Sequence, residues 1–186
     1  MPITRKEIAQ AYLRLSSQGY AAGTEALSDD PELSHLGVPH GWKAFGFPYK
    51  DWFLLDAYRK GEGGRSAGLS ILSHGDVDVF YFSYAGRVLI EPCDSLGIDP
   101  KDVTDFLKRA LLASYADWEE GMDAFRGGRG PFNHREGLFV YRNSCSPCQI
   151  DSFSGREIIL FQEKGFLTST EVFFHNYQGQ VLIDLP

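Results

Sequence analysis

The chain has 186 residues, 43% of them apolar and 14% aromatic, and a formal net charge of −7. Its length suits one domain able to bury a core without staples. Its negative charge disfavours phosphate backbones and anionic membranes, so neither nucleic acid nor a membrane is expected as a partner.

Thr4, with Glu7 three residues on, reads as a capping box. It opens an amphipathic helix over 4–19, on which Ile8, Ala11, Tyr12 and Leu15 share a face and Gly19 is the stop. Residues 21–50 are rich in turn formers (Asp29-Asp30-Pro31, Gly37, Pro39, Gly41, Gly46, Pro48) but carry Trp42, Phe45, Phe47 and Tyr49, so a packed-down loop is expected. Strand-like runs follow at 51–59, 68–74 and 77–84, divided by glycines at 61–64 and by Gly75-Asp76. Asp99-Pro100 starts a second helix with an apolar stripe of Val103, Phe106, Leu107, Ala110, Leu111 and Tyr115. Asp117, Glu119, Glu120 and Asp123 end it and face water. Gly127 to Pro131 reads as a flexible loop whose neighbouring Arg126, Arg129, His134 and Arg135 are solvated. Three more strand-like runs lie at 137–144, 153–163 and 168–177, with a short tail at 181–183.

The two halves align on their turn residues. Tyr84-Ala85-Gly86 and Val88-Leu89-Ile90 match Tyr177-Gln178-Gly179 and Val181-Leu182-Ile183 at an offset of 93, and Phe80 matches Phe173. Gly68 and Ile71 match Gly155 and Ile158 at an offset of 87, and Phe53 matches Phe139 at 86. The offset changes only inside turns, where insertions are tolerated. One helix and three strands cannot bury both apolar faces, whereas two copies can cover each other. The expected fold is therefore α+β: a single domain over 1–186, with pseudo-repeats at about 4–90 and 102–183. Two helices would pack on a curved, mainly antiparallel sheet of about six strands.

The runs Leu138 to Ser144, Phe153-Ser154-Gly155-Arg156-Glu157 and Phe174-His175-Asn176-Tyr177-Gln178-Gly179 resemble a family of uncharacterised bacterial proteins with a duplicated domain of unknown function. Its repeated elements are Tyr-Arg-Asp-Ser, Phe-x-Gly-x-Glu and Asn-Tyr-x-Gly. Some relatives fuse that domain to a helix-turn-helix of the xenobiotic-response-element type. The likeness is closer in the second half; in the first, Ser70 stands where Glu157 stands in the second. It implies a fold and ligand sensing, and no defined activity.

Strand alternation puts Phe153, Gly155, Glu157, Ile159 and Phe161 on one face, so Glu157 sits among apolar side chains. Arg142 on the strand before it, and His175 and Tyr177 on the strand after, would converge on Glu157 if their faces coincide. Such a set could bind a polar ligand or act in acid/base chemistry. Asp56, Ser70, Phe82 and Tyr84 are the first-half counterparts. The plain alternative is an Arg142–Glu157 cross-strand pair with His175 exposed. Trp42, Phe45, Phe47, Trp52, Tyr58, Phe80, Phe82 and Tyr84 crowd the first half, as core or as a ring-lined cleft. Candidate ligand-binding residues are thus Arg142, Glu157, His175, Tyr177, Trp52 and Tyr84.

Cys145-Ser146-Pro147-Cys148 reads first as a plain turn at a hairpin tip, with a metal role and a redox or disulfide role as alternatives. Three cysteines without scaffold spacing, and a start with no secretory signal, point to free thiols in the cytoplasm. His35 and His40 show no ligand spacing. The glycine-rich stretches lack the Gly-Lys-Ser/Thr of a phosphate loop, and no Gly-x-Ser-x-Gly elbow occurs. No cofactor or metal is implied. The leading expectation is a soluble, non-enzymatic small-ligand-binding or sensor domain with a cleft between its halves. The alternatives are a small hydrolase-like enzyme using Glu157 and His175, and a protein-interaction or immunity-type module.

Overall fold

The computed structural model describes residues 2–24, 38, 41–116, 125–163 and 165–185. Asp29-Asp30-Pro31, His35, Gly37, Pro39, His40 and the acidic group Asp117, Glu119, Glu120 and Asp123 lie outside the described residues.

Helix α1 (Arg5–Ser16) begins as the sequence dictates. The Glu7 amide donates to Thr4 Oγ1 at 3.3 Å, and the Thr4 amide donates to Glu7 Oε2 at 2.9 Å, satisfying two otherwise orphaned donors. A single 3-10 turn at Tyr20–Ala22 follows. Four strands come next: β1 (Lys43–Tyr49), β2 (Trp52–Lys60), β3 (Arg65–His74) and β4 (Val77–Val88). Helices α2 (Ile90–Leu96) and α3 (Pro100–Ala116) lead to β5 (Asn133–Glu136), β6 (Phe139–Gln149), β7 (Ser152–Phe161) and β8 (Thr170–Val181).

All eight strands join one open antiparallel sheet in the order β1-β2-β3-β4-β8-β7-β6-β5. The α+β class holds. The strand count is eight where about six were expected, the sheet is open where a curved one was expected, and the described helices number three where two were expected. Each miss has a local cause. Gly46 and Pro48 look like turn residues, but β1 is an edge strand, where a missing N–H breaks no ladder. The four residues of β5 are Asn, His, Arg and Glu, with no apolar alternation to read. The short helix α2 was not anticipated; Pro92 lies in its first turn, where it costs no intrahelical bond, and Gly97 closes it at φ 65°.

Helices α1 and α3 cover one face of the sheet. Ile8, Tyr12 and Leu15 from α1 and Val103, Phe106 and Leu107 from α3 share one buried cluster with Leu54, Leu72, Phe80, Phe82, Phe153, Ile159 and Phe173. Tyr12 sits 4.9 Å from the Phe80 ring, and Phe106 sits 5.3 Å from that of Phe139. Among the described residues no helix is long and apolar enough to cross a membrane.

The cysteine pair corrects an expectation. Cys145 and Cys148 are disulfide-bonded within β6, across the register shift that faces Gly155 and Phe153, instead of forming a plain turn at a hairpin tip. Cys93 is free and buried.

Candidate functional site

One row of register partners crosses the helix-covered face of the sheet. It runs Asn143 (β6), Glu157 (β7), His175 (β8), Gly86 (β4), Ser66 (β3). Glu157 is wholly buried and His175 is 4% exposed. His175 Nδ1 lies 3.0 Å from Glu157 Oε1, and its Nε2 lies 2.7 Å from Ser66 Oγ.

That span is possible because the residue between them is glycine. A Cβ on Gly86 would stand 1.9 Å from the Phe174 carbonyl oxygen and 2.6 Å from His175 Cδ2. Gly86→Ala is therefore expected to destabilise the fold by about 1–3 kcal/mol through overpacking and to push His175 off Ser66. Urea denaturation checks the first effect; an unchanged midpoint would refute it.

Glu157 has further partners. Arg129 donates through Nε at 3.1 Å and through Nη2 to Oε1, and the Tyr141 hydroxyl donates to Oε2 at 2.7 Å. Burial alone would raise this carboxyl, but Arg129 and His175 hold it down at about 2. Burial lowers the His175 pKa more than Glu157 raises it, so the imidazole is neutral at pH 7.

A glycine-rich loop delivers Arg129. Cβ atoms on Gly127, Gly128 and Gly130 would come within 2.7 Å of Tyr177, 2.4 Å of Tyr12 and 2.6 Å of Tyr141, so only bare backbone lies this close to the rings. The Asn143 side-chain amide donates to the Arg126 and Gly130 carbonyls, each at 3.0 Å, and accepts from the Tyr177 hydroxyl at 2.6 Å. The loop expected to be flexible and solvated is thus pinned to the sheet, and Arg129 is 8% exposed.

Above this network lies a cavity of about 350 Å³. Tyr12, Tyr20, Tyr58, Tyr84 and Tyr115 line it, and Ser66, His175 and Arg129 open onto it. Asp56 lines it as well, its Oδ1 accepting from Ser70 Oγ at 2.9 Å. Burial, only partly offset by the Ser70 hydroxyl and the Arg129 charge, raises the Asp56 carboxyl to about 6.

Three of the six residues singled out in the sequence come together. Glu157 and His175 touch, and the Tyr84 ring lies 5.1 Å from that of His175, whereas the Tyr177 hydroxyl donates to Asn143, which pins the glycine loop. Arg142 does not join. Tyr141 and Asn143 are buried while Arg142 is exposed, so the inward parity of β6 is the opposite of the one that would bring it to Glu157. Its register partners are Ile158 and Asn133, so there is no Arg142–Glu157 pair, and His175 is not exposed. Trp52 lies at the other end of β2, edge-on to His74 at 4.6 Å, in a separate groove with Arg14 and Tyr49. Ser66, Arg129, Tyr141 and Asn143 were missed. A lone arginine among three glycines was the available signal for Arg129; Ser66 carries none. Among the described residues no group of three or more His, Cys, Asp or Glu side chains is placed to hold a metal ion.

An open antiparallel sheet with helices on one face and a buried carboxylate–imidazole–hydroxyl row beneath a cavity defines an α+β protein with an enclosed polar site. The chain belongs to the family described as Domain of unknown function (DUF5680), whose model matches residues 61–182. The match covers about two thirds of the chain and includes Ser66, Arg129, Glu157 and His175, while Asp56 precedes it. No curated protein and no solved structure matches the chain.

Proposed function

We propose that the protein binds a small molecule in the tyrosine-lined cavity. The observation that carries this reading is the convergence there of Ser66, His175 and Asp56 on a space of about 350 Å³. Small-ligand sites are concave, of roughly 300–1,000 Å³, with few polar groups among many apolar ones. The test is thermal-shift screening of a broad small-molecule collection against the wild-type chain and Thr104→Trp, which puts an indole into the cavity wall. Compounds that stabilise the wild type should lose that effect in the variant. A collection without a single stabilising compound would end the proposal.

The same reading treats the chain as one domain built from two copies of a module, with the cavity between them. Three features support it. The strand order is symmetric about the β4–β8 contact. Tyr84 pairs with Tyr177, the residue that the sequence alignment equates with it. Finally, the row Asp56–Ser70–Phe82–Gly179 corresponds position by position to Asn143–Glu157–His175–Gly86. On this view one copy kept a carboxylate at Asp56 and the other gained the Glu157–His175 pair.

A second reading, hydrolytic acyl transfer, is favoured by the Ser66–His175–Glu157 spacing of 2.7 and 3.0 Å. Neutral His175 would take the Ser66 proton while Glu157 holds the ring. Against it, Ser66 lies on a strand instead of a sharp turn, and the Glu157 charge is already matched by Arg129. If it holds, a fluorophosphonate probe adds one adduct at Ser66, absent in Ser66→Ala and in His175→Ala. A wild-type chain that stays unlabelled removes this reading and leaves the first intact.

A further inference from the structure

The charges that line the cavity are unevenly matched. Arg129 is paired with Glu157, and Lys101 is paired with Asp105 at the surface. Among the described residues no basic side chain forms an ion pair with Asp56, whose hydrogen-bond partner is the Ser70 hydroxyl. Arg129, held on Glu157 beyond ion-pair distance of Asp56, offsets that charge only in part. A carboxylate enclosed without an ion-pair partner is costly, and the least costly complement is a cation.

The surroundings suit an organic cation. Alternation along β2 puts Tyr58 on the same face as Asp56, and the Tyr20 ring stands edge-on to Tyr58 at 5.7 Å. Both rings line the cavity; Lys108 Nζ already stands 4.9 Å over Tyr20 and Phe45 stacks on Tyr58, so each ring has one face left for a ligand. Ring faces attract ammonium groups, and more strongly where water is excluded.

The opposite sign gathers at the cavity's solvent side. Lys60 and Arg65 line the cavity and are exposed, and the Arg65 guanidinium leans on the Glu62 carbonyl at 3.4 Å. Lys60 shares the Asp56 face four residues further along β2, about 13 Å away at the strand rise. A fitting ligand therefore carries its two charges well apart.

We propose that the cavity takes an elongated zwitterion, with an ammonium group against Asp56, Tyr20 and Tyr58 and an anionic group at the mouth against Lys60 and Arg65. This rests on the cavity being a ligand site. An α-amino acid with a neutral side chain, its two charged groups on one carbon, cannot reach both ends; a compound with an ammonium several carbons from its carboxylate can.

Isothermal titration calorimetry on the full chain at pH 7.5 tests it, with 6-aminohexanoate, hexylamine and hexanoate as probes. 6-Aminohexanoate binds, hexylamine binds more weakly, and hexanoate does not bind. Asp56→Asn, confirmed folded by circular dichroism, weakens both amines at least tenfold. Lys60→Ala/Arg65→Ala weakens 6-aminohexanoate several-fold and leaves hexylamine unchanged. Binding of hexanoate as tight as that of 6-aminohexanoate, or amine binding indifferent to Asp56→Asn, overturns the inference. If no amine binds but neutral or anionic compounds stabilise the wild type and not Thr104→Trp, the ammonium assignment fails and the ligand site stands. If nothing binds, both fall.

Discussion

Arg129→Met lowers the unfolding free energy by about 3–5 kcal/mol, the range expected when one partner of a buried ion pair is removed and the other is left behind. Glu157 is wholly buried and accepts from Arg129, Tyr141 and, through the ring nitrogen, His175. Methionine keeps much of the volume of the arginine stem and removes the charge. The carboxylate must then take up a proton or draw in water. The sign with pH follows from the lowered carboxyl. In the unfolded chain Glu157 titrates near 4.3, and in the fold it titrates at about 2. The folded state thus binds fewer protons between those values. The stability contributed by this group is complete above about 4.3 and is lost as pH falls toward 2. Urea denaturation at pH 7 and at pH 3 should show the deficit of Arg129→Met shrinking as acid protonates the stranded carboxyl. Arg129→Met/Glu157→Gln should recover most of the loss, because removing both charges of a buried pair is close to neutral. An Arg129→Met variant as stable as the wild type at pH 7 would show that the pair does not hold the loop to the sheet.

Asp56→Asn works in the opposite direction: it should stabilise the protein at pH 7.5 by about 3 kcal/mol. The Asp56 carboxyl titrates near 3.9 when unfolded and at about 6 in the fold. The folded state therefore holds the extra proton in that interval, and stability falls as pH rises from about 4 through 6. That interval of about two pH units, at about 1.4 kcal/mol for each, sets the magnitude. Asparagine carries no charge at any of these pH values and can still accept from Ser70. The difference between variant and wild type should be small at pH 4 and fully developed at pH 7.5. The measurement is a pair of denaturation curves at each pH. A wild type more stable than Asp56→Asn at pH 7.5 would mean that some cation already compensates Asp56. A substitution that stabilises the chain while weakening amine binding is the pattern expected where function has kept a charge that folding alone disfavours.

Most of the elements were legible because local chemistry fixes them. The Thr4–Glu7 capping box, the apolar stripe from Val103 to Tyr115 and the six alternating runs each carry their own period, and each forms near its expected place. Edge strands were harder to read. An edge tolerates Pro48 in β1 and an entirely polar β5, because one side of its backbone ladder has no partner and its side chains need not alternate.

The site was half legible. Alternation along β7 marks Glu157 as a carboxylate on an apolar face, and the chain order of β7 and β8 puts His175 within reach of it. Strand parity is another matter. Moving the inward set of β6 by one residue exchanges Arg142 for Tyr141 and Asn143, and no period within the strand distinguishes the two.

The sequence by itself determined the helices, the central strands and the presence of a carboxylate and an imidazole on neighbouring apolar faces, because these depend on periodicity within a few residues. Only the tertiary structure decided that Ser66 meets His175 across Gly86, that Arg129 turns inward onto Glu157, and that Asp56 shares their cavity. Those contacts join residues 109 and 28 positions apart in the chain and set Asp56 in one cavity with His175, 119 positions on, brought together by the antiparallel contact of β4 with β8 and by a glycine loop thin enough to lie on three tyrosine rings.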